Sequence, residues 1–284
     1  MPPADLRPPP EWSRSTPVRV VVSFAFIAIV LVLAPLAISI YGFAQGQPGM
    51  GRYALAFAVV CALVLWVGYE TRLRRHTSTG PLVHRPGGPD TAALEIPYST
   101  RIYTGYLLVM TAVALVFVMA AVDSFASDDP GRVGGGYVYG GVAMLFGSLP
   151  ALMATGRFRR GYLRLTPEGA YQRGWTFESF LRWSSIVAVL PKYADCPVIV
   201  VVAEDDAPWQ RRQITRLWRQ DRLPKVKRQD GNGLVPMLDI PGKFLSVDPT
   251  LVYYLLGFYL TNPSARVELG SESAVRRARS GALG

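Results

Sequence analysis

Tyr137–Gly156 reads YVYGGVAMLFGSLPALMATG, twenty residues without a charge, and stops in Arg157-Phe158-Arg159-Arg160. A helix of about 20 apolar residues crosses a bilayer core, so this stretch predicts a membrane span closed by a basic cluster. The chain before it repeats the pattern, and the chain after it does not. The fold therefore divides here into a membrane part and a part built for water.

Upstream, Val20–Phe43 is uncharged, with Pro35 as a kink, and Tyr53–Tyr69 follows across the tight loop GQPGMG. Ile102–Val122 is a further uncharged run between Arg101 and Asp123. With about 137–156 these give four spans, at about 20–43, 53–69 and 102–122, inside a membrane region 20–157. Tyr41, Tyr53, Trp66, Tyr69, Tyr103, Tyr106, Tyr137 and Tyr139 fall mostly near span ends, as an aromatic belt requires. Residues 1–19, with Pro8–Pro10, predict a disordered cytosolic tail rather than a signal peptide.

Basic residues beside the spans set the orientation. Arg7, Arg14 and Arg19 precede the first span; Arg72, Arg74, Arg75, Arg85 and Arg101 lie between the second and third; Arg157, Arg159, Arg160 and Arg164 follow the fourth. The opposite loops hold Arg52 and Arg132. This asymmetry predicts a multi-pass protein of the plasma (inner) membrane with both termini and the middle loop, His76–Thr100, in the cytoplasm. That loop, rich in Thr, Gly and Pro, predicts a flexible connector; the alternative is a docking strip for a partner or for the soluble domain.

After Gly161 the period changes. Tyr162–Thr166 and Ala170–Trp175 alternate around the turn Pro167-Glu168-Gly169, and Phe177–Trp183 and Ile186–Leu190 continue as strands. Pro197–Ala203 (PVIVVVA) suits a buried strand, and Leu234–Ile240 an edge strand, because Pro236 cannot donate to a ladder. Asp248-Pro249 caps a helix to about Thr261, too short to span.

Three features within this region, YLRLTPEGAYQRG at Tyr162–Gly174, Trp183-Ser184-Ser185-Ile186, and the helix end Tyr259-Leu260-Thr261-Asn262-Pro263, resemble the bacterial pleckstrin-homology-like (PH-like) domains attached to membrane spans. ARVELG at Ala265–Gly270 and the arginine-rich end are similar to actinobacterial proteins of that kind. The resemblance covers residues 161–270 and departs from the pattern at a basic insertion, 204–233; residues 271–284 form a basic tail. It implies a C-terminal α+β domain, a small antiparallel β-barrel capped by a helix, with a binding or assembly role and no catalytic residues to transfer.

In the insertion, Asp206-Ala207-Pro208 predicts a helix start. Ile214, Leu217 and Trp218 then share one face of an amphipathic segment carrying Trp209, Arg211, Arg212, Arg216, Arg219, Arg222, Lys225, Lys227 and Arg228. Such a segment can meet anionic lipid headgroups, pack on its own domain, remain a basic loop, or bind a protein partner. Nucleic acid is disfavoured, since no reader motif accompanies the charge. In the fourth span Gly136, Gly140, Ala143, Gly147 and Ala151 form a small-residue stripe for helix packing, within the chain or in a homo-oligomer or with a membrane-protein partner.

The net charge of +10 rests on arginine, since Lys192, Lys225, Lys227 and Lys243 are the only lysines. Cys61 and Cys196 have no metal spacing, and His76 and His84 both fall in the middle loop, far from any nucleophile pattern. No cofactor, metal or catalytic site is expected. The sequence thus predicts a non-enzymatic binding protein of the bilayer, with a small membrane transporter or membrane enzyme as the alternative.

Overall fold

The computed structural model describes residues 6–12, 18–74, 80–85, 92–218, 224, 226–227 and 233–283. They form two compact units: a helical unit, Ser15–Leu73 with Arg101–Phe158, and a β unit built from Met1–Arg14, Arg74–Thr100 and Arg159–Gly284.

The helical unit holds α1 (Val18–Ala44), α2 (Pro48–Arg72), α3 (Thr100–Phe125) and α4 (Pro130–Ala154). Among the described residues these four helices are long and apolar enough to cross a membrane. α4 begins earlier than the uncharged run suggests, because Asp129 accepts from Gly131 N at 2.9 Å and Pro130 occupies the first helical position. α1 and α2 make the closest pair, seamed by Ser39, whose Oγ donates to the Gly51 carbonyl at 2.8 Å. α2 and α3 are tied at both ends. Glu70, buried, pairs with Arg101 at 3.5 Å, and Asp123 pairs with Arg52 and accepts from Tyr53 Oη at 2.6 Å. Between those ties Gly105 lets Val67 approach, for a Cβ there would lie 2.6 Å from Val67 Cγ2.

In the β unit, β3 (Tyr162–Leu165), β4 (Gly169–Arg173) and β5 (Phe177–Arg182) form the meander that the alternation predicts. The middle loop is not a mere connector. It contributes β1 (Val83–Arg85) and the fully buried β2 (Ala93–Pro97), which pairs antiparallel with β3. β6 (Ile186–Tyr193), β7 (Pro197–Ala203) and β9 (Met237–Pro241) make a separate sheet with β9 at its edge; Pro236 lies just before the strand, and its carbonyl accepts from Ala203 N at 3.0 Å.

Among the described residues the expected closed, PH-like barrel is absent. The strands divide into an open six-stranded sheet, ordered β1-β2-β3-β4-β5-β8 with β8 at Gln210–Gln213, and the open sheet β6-β7-β9. In the expected barrel β3 and β5 are the meander edges that closure would use. β2 already occupies the free side of β3, and β8 that of β5. The 3₁₀ turn Trp183–Ser185 then carries the chain out of the first sheet. The two sheets meet through Gln172 of β4, which donates to the Asp239 carbonyl at 2.6 Å and to Tyr98 Oη at 3.0 Å.

Helix α5 (Pro249–Thr261) starts at Asp248, which accepts from Thr250 N at 2.7 Å, and buries Leu251, Val252, Leu255, Leu256 and Tyr259. It packs on β6 and β7. The described part of the N-terminal tail is folded rather than disordered: Trp12 is buried, its Nε1 donates to the Lys192 carbonyl at 2.9 Å, and its ring meets Tyr253 edge-on at 5.7 Å. Tyr254 Oη donates to the Arg7 carbonyl at 3.0 Å. The basic C-terminal tail is also ordered as α6 (Glu272–Ser280), held by Arg277 on Glu268 and by Arg279 donating to the Leu82 carbonyl at 3.3 Å.

Candidate functional site

Within the predicted basic segment, Gln210–Gln213 forms a strand rather than a helix. With Asp206 as the cap, Ala207 would have to take the first helical position, and Pro208 pushes the residue before it out of the α region. Instead Glu204–Ala207 turns, with Ala207 N donating to the Glu204 carbonyl at 3.1 Å, and the chain enters β8 against β5.

Two polar anchors fix β8. Trp209 Nε1 donates to Ser179 Oγ at 2.7 Å, and Gln213 Nε2 donates to the Thr176 carbonyl at 2.9 Å. The Arg211 guanidinium lies over the Trp209 ring, 4.7 Å from its centroid. Opposite partners share a face, so Arg211 lies with Ser179 and Arg212 with Glu178. Glu178 also pairs with Arg173 at 3.6 Å. Tyr171, Glu178 and Phe180 join Trp209, Arg211 and Arg212 around an open groove along this edge.

Of the other predicted contact residues, Arg216 is exposed in the bend after β8, and Trp218 takes a left-handed backbone angle, φ 54°. Lys227 is exposed and bridges Leu234, away from β8 in the chain. Arg219, Arg222, Lys225 and Arg228 lie outside the described residues. The structure thus brings Trp209, Arg211 and Arg212 together and leaves Arg216 and Trp218 next in line.

The helix stripe divides. Gly136 is buried, and a Cβ there would meet the Phe125 ring at 2.7 Å; Ala143 is buried as well. Gly140 and Gly147 have no atom within 4 Å of a built Cβ, and Ala151 is exposed. The close approaches at Gly42, Gly51 and Gly105 belong to other helices, and their spacing in the sequence could have been searched for in the same way.

A second charged cluster sits on β1–β3. Arg85 contacts Glu95 through Nε at 2.9 Å and a terminal nitrogen at 3.1 Å, and Arg164 contacts it at 2.8 Å. Burial alone would push the Glu95 carboxyl up, but the hydrogen bonds and charges of the two guanidinium groups outweigh it and hold it below the usual carboxylate range. Burial raises Asp239, against the charge of Lys192. His84 is in β1, with Nδ1 buried and unbonded, and His76 lies outside the described residues. Among the described residues no three His, Cys, Asp or Glu side chains gather as a metal site would require.

No family model, curated protein or solved structure matches the chain.

Proposed function

We propose that this chain is a multi-pass protein of the plasma membrane with both termini in the cytoplasm, and that its β unit works there by binding rather than by catalysis. The observation that carries this reading is the make-up of the β unit. Residues preceding α1, residues between α2 and α3, and residues following α4 all belong to it. Four crossings return all three segments to one side, as such a unit needs. The arginines at 72, 74, 101, 157, 159 and 160 favour the cytoplasmic side.

The contact surface is the basic edge Trp209–Trp218. Its arginines are exposed, while the Trp209 indole is hydrogen-bonded to Ser179 and covered by Arg211. Charge faces outward and the ring is held by the domain, which favours acidic side chains of a protein partner over burial of tryptophan among lipid headgroups. In proteoliposomes of brominated anionic lipid, Trp209→Phe should leave fluorescence quenching unchanged. Quenching lost in that variant would assign the surface to lipid. In native membranes, Arg211→Gln with Arg212→Gln and Arg216→Gln should release a stoichiometric partner without lowering thermal stability. Solute movement or turnover that ignores these arginines would contradict a binding role.

A further inference from the structure

We propose that the free edge of β8 is a docking edge for an extended acidic peptide segment of a protein partner, which adds to the six-stranded sheet as a further strand. The inference rests on the binding role above and names the chemistry and mode of its partner.

The phase of the ladder identifies the groups on offer. Ile214 N donates to the Thr176 carbonyl at 2.8 Å, and these two residues continue the register in which Gln213 faces Phe177. In an antiparallel ladder, hydrogen-bonded pairs alternate with pairs that turn their amides away. Arg212 and Gln210 therefore bond to β5, whereas Arg211 and Gln213 direct their N–H and C=O groups to the outer side. Sheet order puts no strand there among the described residues, and all four residues of β8 are exposed. An open edge of this kind is a template for strand addition.

Charge decides the occupant. Trp209–Arg228 holds eight basic residues against the single acid Asp221. A second copy of β8 would set arginine against arginine, so the same charge that guards against self-pairing selects an acidic strand. An added strand would place side chains beside Arg212 on one face and Arg211 on the other, each within reach of a carboxylate.

The test uses the full chain in nanodiscs of neutral lipid and a labelled ten-residue peptide of alternating Val and Glu. The peptide should bind, weaken as salt rises, and slow amide exchange at Arg211 and Gln213. A Val-Lys peptide and a fully N-methylated Val-Glu peptide should each bind at least about tenfold more weakly, because one loses the charge and the other the backbone donors. Arg211→Pro, which removes an outward N–H but no bond to β5, should weaken binding similarly while Arg211→Gln retains the dependence on N-methylation. Three results would each overturn the proposal: no binding at low salt, equal binding of the N-methylated peptide, or slow exchange at Arg211 and Gln213 before peptide is added. If one of these occurs while the native-membrane partner still depends on the arginines, the binding role stands and strand addition is removed.

Discussion

Ile96 in β2 sits directly opposite Leu163 in β3, and both side chains are fully buried. One comes from the segment between α2 and α3 and the other from beyond α4. The β unit is therefore discontinuous in sequence. A fragment of residues 161–284 lacks β1, β2 and Trp12 and should remain protease-sensitive, whereas the full chain resists. Ile96→Asp in the full chain should cost about 3–5 kcal/mol and show as loss of near-UV circular dichroism. A stable, dispersed fragment 161–284 would show that β2 is dispensable.

What could be read from the sequence was whatever local period determines. The four long apolar helices, the strands from Tyr162 to Ala203 and the cap at Asp248 each follow from residues adjacent in the chain. Strand pairing is not local. AALEIPY at Ala92–Tyr98 carries the signal of a buried strand, but its partner lies more than sixty residues away, past α3 and α4. The same blindness hid the open sheet. Whether β3 pairs with β2 or with a closing strand is a tertiary choice, and the strand order of a barrel could not foresee a strand supplied from upstream. At β8 the pattern WQRRQ fits both a polar helix and an edge strand, and Pro208 decides for the strand.

Glu95 gives a pH signature. Its folded carboxyl lies below its unfolded one, so the stability it contributes is present at neutral pH and is lost as pH falls through the depressed folded value. Glu95→Gln should lower the unfolding free energy at pH 7 by about 1–3 kcal/mol, given that Arg85 is half exposed. The difference from wild type should shrink as pH falls below about 4, where the unfolded carboxyl takes up a proton that the folded one still refuses. Asp239 has the opposite sign: its raised value favours the fold when protonated, so Asp239→Asn should stabilise at pH 7. A gap for Glu95→Gln that widens in acid would refute the assignment.

Trp12 fastens the N-terminal segment across β6 and α5. Trp12→Ala removes the bond to the Lys192 carbonyl and the contact with Tyr253, and should cost about 2–4 kcal/mol. Proteolysis near Arg7 should accelerate in step. Unchanged stability would mean the segment rests on the domain without holding it.

In the helical unit, space rather than residue type predicts tolerance. Gly105→Leu must displace Val67, 2.6 Å from a built Cβ, and should lower the melting temperature in detergent. At Gly140 an added Cβ meets no atom within 4 Å, and Gly140→Leu should melt like wild type. Equal losses would show that Gly140 packs against another molecule.

The central claim is that four crossings place the whole β unit in the cytoplasm. Cys61→Ala and Cys196→Ala remove the native thiols. Single cysteines then replace Asp128, in the loop between α3 and α4, and Ser184, exposed in the β unit. A membrane-impermeant maleimide should label position 128 in intact cells and position 184 only after permeabilisation. Labelling of position 184 in intact cells would contradict the account.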